Sequence, residues 1–184
     1  MKKFLTITFI LICYAALGQK IKTDRIDKTT KERVIESSGI KIPVTKIKIS
    51  NPEAYGEIKG SIQASILAVG NQTLLHLTWF NTLPVGIDKA DSVTVTDEQG
   101  NNYIFKFTDF SVSKVQKNLT SQNSVPSYYN DIFLYGDISA FINKSIQHIN
   151  INTYESNTLK IQLREKEQSE LKKAAELVIK KALE

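Results

Sequence analysis

The chain reads as a mainly β protein, an antiparallel β-sandwich or open barrel with a short crossover helix and a C-terminal α-helix. Three observations predict this. Between Arg33 and Leu163 apolar residues return mostly with period two and are largely β-branched or aromatic. The runs are separated by short segments rich in Gly, Asn and Asp, the residues that tolerate tight turns. From Glu165 onward the period becomes that of a helix. With 184 residues, 41% hydrophobic and 23% charged, the composition is that of one globular domain rather than a disordered or polytopic membrane chain.

The N-terminus comes first. Met1-Lys2-Lys3 is a basic head, Phe4 to Leu17 is apolar, and Ala16 and Gly18 are small residues three and one before Gln19. This pattern predicts a signal peptide over 1–18, cleavage between Gly18 and Gln19, and a single domain over 19–184 that is periplasmic, on the cell surface or secreted. A retained anchor is the alternative, but the run is short of the roughly 20 residues a membrane span needs and is followed at once by Lys20, Lys22 and Arg25. Cys13 follows Ile10-Leu11-Ile12 rather than small residues, which argues against lipidation. Without the leader the chain has no cysteine, so no disulfide or thiolate chemistry is expected.

Eight or nine strands are expected. Ile42, Val44, Ile47 and Ile49 change phase around Thr45, which predicts a bulge or bend, and Pro43 favours an edge. Ser61 to Val69 and Thr73 to Phe80 flank Gly70-Asn71-Gln72 as one hairpin. Ser92 to Thr96 and Tyr103 to Phe107 flank the turn formers Asp97 to Asn102 as a second. Asp137 precedes a short helix with Ile138, Phe141 and Ile142 on one side. Ile146 to Tyr154 then pairs with Leu159 to Leu163. The terminal helix, about 165–183, has a stripe of Leu171, Ala174, Ala175, Val178 and Ala182. So narrow a stripe is expected to lie against the sheet or an edge rather than supply core. Only Thr108 to Asp131 is a long connection, and such loops are often functional.

The run Asp24 to Glu32 leading into Val34-Ile35-Glu36-Ser37 resembles the mature N-terminus of a family of secreted or periplasmic β-rich bacterial domains of unknown function. The order of an Asp turn at Ile87 to Asp91, Ser92 to Gly100, Gly136-Asp137-Ile138, Ile149 to Thr153 and a charged final helix is similar too. The resemblance implies an exported β domain and carries no activity or site residue.

Charge excludes little but nucleic acid. Past the leader 22 basic face 19 acidic residues, and only Arg25, Arg33 and Arg164 are arginine, the residue that reads phosphate and guanine bidentately. His76 and His148 stand in no metal-ligand spacing, though a zinc contact would follow if they converged. Asp88, Asp91, Asp97 and Glu98 sit in turns, where Asp bonds its own backbone. No nucleophile elbow, SxxK or phosphate loop occurs.

No catalytic, cofactor or metal site is therefore expected. The leading expectation is a non-enzymatic interaction or structural module with an unknown protein or glycan partner. A glycan- or small-ligand-binding module is the alternative, using Tyr128, Tyr129 and Asn130 in the long loop, with Trp79-Phe80-Asn81 as a second aromatic candidate. An unrecognised hydrolase would require His76 or His148 beside an Asp. Asp91-Ser92-Val93 also resembles a three-residue O-glycosylation acceptor.

The exported protein is expected to begin at Gln19. Intact-mass measurement on protein from the native host checks this, and a mass that retains Met1 to Gly18 refutes the leader.

Overall fold

The alternation of the middle of the chain is realised in one antiparallel sheet. The computed structural model describes residues 19–50, 56–84, 86–87, 92–108, 111–112, 114–116, 127–153 and 157–184. The leader and its cleavage site, Asp88, Asp91 and Tyr154 lie outside the described residues.

The elements are β1 (Ile21–Ile26), β2 (Arg33–Ser37), β3 (Ile40–Pro43), β4 (Ile47–Ile49), β5 (Ile58–Val69), β6 (Gln72–Asn81), β7 (Gly86–Ile87), β8 (Ser92–Asp97) and β9 (Asn102–Phe107). They continue as β10 (Ser111–Val112), β11 (Lys114–Gln116), β12 (Ser127–Tyr135), α1 (Ser139–Asn143), β13 (Ile146–Thr153), β14 (Asn157–Gln162) and α2 (Glu165–Ala182). The main sheet runs β1-β2-β5-β6-β12-β9-β8-β13-β14-β4, with β3 also on β5 and β11 on β12, while β7 and β10 pair separately. The two expected hairpins are β5–β6 and β8–β9.

The phase change at Thr45 is a corner rather than a bulge. Val44–Lys46 is a single 3-10 turn. Before it β3 pairs with β5, and after it β4 pairs with β14. A strand paired to β5, third in the sheet order, and the strand at the far end of that order are thus joined by three residues of chain.

One face of the sheet is dry. Ile62, Ile66, Leu75, Leu77, Val93, Val95, Phe105, Ile149, Ile151, Leu159 and Ile161 are all fully buried, while most of their sequence neighbours are less so, with Ser65, Leu67 and Leu74 the buried exceptions. Trp79 joins this core, as its position opposite His76 and Thr78 predicts.

Three expectations need correction. Strands begin earlier than Arg33: β1 is mostly exposed, so it has little alternation to read, and it is held to β2 by pairing and by Arg33, whose Nε and Nη2 donate to Asp24 Oδ1 and Oδ2 at 2.9 Å each. The long loop is shorter than Thr108 to Asp131, because β12 already begins at Ser127. Finally, α2 does supply core. It packs on β5, β2, β3 and α1, and Leu171, Ala174, Ala175 and Val178 are buried within the main cluster, while Ala182 is exposed. Alanine lets the helix axis approach the sheet closely, so a narrow stripe is enough. At its first turn Glu167, also buried, accepts from the Arg164 backbone N–H at 2.9 Å and pairs with the Arg164 guanidinium.

Leu171→Ala is expected to cost about 2–5 kcal/mol in chemical denaturation, with Ala182→Ser near neutral. Equal stability of the two variants would contradict the docking.

Candidate functional site

Since the inner face is filled, the side chains that the described strands leave accessible are those on the outer face. β6 and β12 are neighbours whose register places Phe133 opposite His76, Asp131 opposite Thr78 and Tyr129 opposite Phe80. Successive outward residues on a strand are about 7 Å apart. The result is a grid two residues wide and three deep: an aromatic pair, a polar pair, an aromatic pair. His76 stacks on Phe133 at 4.4 Å between ring centroids and 14° between planes. Phe80 and Tyr129 are tilted by 41° at 5.0 Å. All six are half-buried.

The polar groups extend sideways onto β5, β2 and β1. Ser65 lies directly opposite His76. Its hydroxyl donates to Glu36 Oε1 at 3.0 Å and lies 3.2 Å from His76 Nδ1. The same Glu36 oxygen is 3.1 Å from His76 Nδ1, and the other accepts from Lys22 Nζ at 3.2 Å. On the far edge of the ring, His76 Nε2 is 2.7 Å from Asp131 Oδ1. A neutral imidazole satisfies one carboxylate; the imidazolium satisfies both. Burial raises the Glu36 carboxyl, but hydrogen bonds from His76, Lys22 and Ser65 outweigh it and hold it below the usual range. Burial and the Asp131 charge push the Tyr129 phenol up.

Ser65, His76 and Asp131 have the composition of a hydrolytic triad. What acyl transfer needs in addition is an amide aimed at the developing oxyanion. The N–H of Ile66, next after Ser65, instead donates to the buried Ser37 Oγ at 3.0 Å. Ser37 thereby covers the stretch of β5 edge between its pairings with β3 and β2.

The two histidines do not converge. Four strand-to-strand steps separate β6 from β13, about 19 Å along the sheet. His148 instead lies beside Lys160, and its imidazole is held below the ordinary range by burial first and by that charge second. Among the described residues no group of three or more His, Cys, Asp or Glu is placed to hold a metal ion. Glu36 and Asp131 flank opposite edges of His76 and so share no point.

The candidates in the long loop belong to a strand, and this is a correction. Tyr128, Tyr129 and Asn130 are residues of β12. Tyr129 faces outward in the grid. Tyr128 has the inward parity, opposite the buried Asn81. Asn130 is buried and its Nδ2 donates to Asn81 Oδ1 at 2.9 Å, which removes it from any surface contact. Asn81 Nδ2 and Trp79 Nε1 nearby are buried without a hydrogen-bond partner among the described residues. Asp97 performs turn duty: one oxygen accepts from the N–H groups of Gln99 and Asn101 at 2.9 Å each, the other from Tyr103 Oη at 3.1 Å.

Comparison of the chain with family models, curated proteins and solved structures finds no match.

Glu36→Gln tests the network. Because the folded carboxyl is held down, its contribution is present above the ordinary carboxyl range and is lost as pH falls through the lowered value. Urea unfolding is expected to show the variant about 1 kcal/mol less stable at pH 7, with the gap closing in acid. A gap that is constant with pH would contradict the ion pairing.

Proposed function

We propose that the protein is an exported, non-catalytic binding domain and that its working surface is the outer face of β6 and β12. The observation that carries this reading is the grid of His76–Phe133, Thr78–Asp131 and Phe80–Tyr129. The half-buried rings offer apolar surface to the C–H faces of sugar rings. The carboxylate and hydroxyl between them can accept and donate to ligand hydroxyls. A glycan is the ligand class with both features at this spacing. The network behind the grid supports binding rather than turnover, since it fixes His76 and Asp131 in place and spends the nearest backbone donor on Ser37. Export rests on the sequence of the leader and on the family resemblance. No helix among the described residues is long and apolar enough to cross a membrane.

A hydrolase is the second reading, favoured by the 2.7 Å His76–Asp131 contact and the nearby Ser65 hydroxyl.

A glycan array probed with labelled protein tests both. Binding that falls at least tenfold, about 1.4 kcal/mol, in the double variant Phe80→Ala/Tyr129→Ala is the expected result. No binding to any glycan, or binding indifferent to both rings, defeats the platform. Labelling of Ser65 by a fluorophosphonate that is abolished by His76→Ala would establish the hydrolase instead.

A further inference from the structure

A second outward cluster lies at the other end of the sheet. In the β14·β4 pairing Lys160 stands directly opposite Lys48. Like charges in that position repel. Neither lysine forms an ion pair among the described residues. His148 is opposite Gln162, one outward step from Lys160 on the same face. Together with Thr45 from the corner, these four line a cleft of about 290 Å³.

The groups facing His148 can be taken element by element. β14 presents Lys160 and Gln162, β4 presents Lys48, β8 presents Thr96, and the corner presents Thr45. None of them is acidic. Two ammonium groups, an imidazole, a carboxamide and a hydroxyl converge, and every one of them can donate a hydrogen bond.

We propose that this cleft binds a tetrahedral oxyanion, the sulfate or phosphate group of a small ester or of the free ion. Lys48 and Lys160 supply the charge and cancel their mutual repulsion across the anion. Gln162 and Thr45 supply neutral donors, and His148 becomes a third cation when protonated. Binding and protonation are then linked: a bound dianion favours the imidazolium, so it raises the titration midpoint of His148, and affinity increases as pH falls through that midpoint. The site lies four strands from His76, so its test is independent of the glycan platform.

Sulfate is the first probe, because its charge is constant across the titration of histidine. Protein from Gln19 is titrated with sodium sulfate at fixed ionic strength, with chloride as balance, while the imidazole resonances of both histidines are followed by NMR. Saturable shifts at His148, none at His76, and a rise of the His148 midpoint by roughly half a unit or more are expected, since couplings between sites commonly span fivefold and upward. Lys48→Gln/Lys160→Gln should weaken binding at least tenfold while leaving the His76 resonances in place, which also verifies folding. Glucose 6-sulfate and glucose 6-phosphate form the second arm: tighter binding than inorganic sulfate assigns the site to an ester, and equal binding assigns it to the free ion. A response linear in sulfate, or one unchanged in the double lysine variant, overturns the proposal.

Discussion

The corner at Val44–Lys46 is the constraint on which the rest of the arrangement depends. A single short segment, Ile40 to Ile49, pairs at its start with β5 and at its end with β14. β5 and β14, which end at Val69 and begin at Asn157, are thereby held in fixed relation without a disulfide. The inward residues on either side of the corner, Ile42 and Ile47, contribute to or pack against one continuous core. Opening the corner would therefore expose apolar surface beside both β5 and β14 at once. α2 makes the same connection from the other side: it packs on β2, β3 and β5, and Lys181 reaches within 4.0 Å of Asp24 on β1. Since α2 follows β14 by two residues, the two contacts are coupled.

The elements legible in the sequence are those with a local cause. Gly70-Asn71 sits between two alternating runs, so the β5–β6 hairpin follows from residues within twenty positions of each other. The phase change at Thr45 is visible for the same reason, although its consequence, a change of pairing partner, is not. β1 was hidden because an exposed edge strand buries little and so has no alternation to display. The core contribution of α2 was hidden because a stripe of alanines signals a modest apolar area but not how near the helix can come. Close approach, rather than side-chain size, is what fills the space there.

The outer-face grid was illegible for a different reason. Taken singly in the sequence, His76 and Phe80 are residues of one strand pattern and Tyr129 belongs to a long connection far along the chain. What gives the set meaning is the β6·β12 register, which joins residues about fifty positions apart. Periodicity fixes which face a residue occupies but carries no information about its partner across a long connection. The only available signal was the matching alternation, aromatic or imidazole at every fourth residue with a small polar group between, in His76-Thr78-Phe80 and in Tyr129-Asp131-Phe133.

The same register also explains why the polar cluster is tolerated on a half-buried surface. Glu36 and Asp131 are too enclosed to be solvated freely, and each would be costly there without a partner. His76 lies between them, Lys22 and Ser65 complete the Glu36 shell, and the sheet holds every donor within about 3 Å of its acceptor. Side chains fixed in this way have little rotamer freedom left to lose when a ligand arrives, so less of the contact energy is spent on ordering them. The rings beside them gain the same benefit, because Phe133 is held by its stack on His76 and Tyr129 by Phe80. A preorganised face of this kind favours a rigid ligand with a repeating surface, whereas a flexible partner would have to supply all of the ordering cost itself.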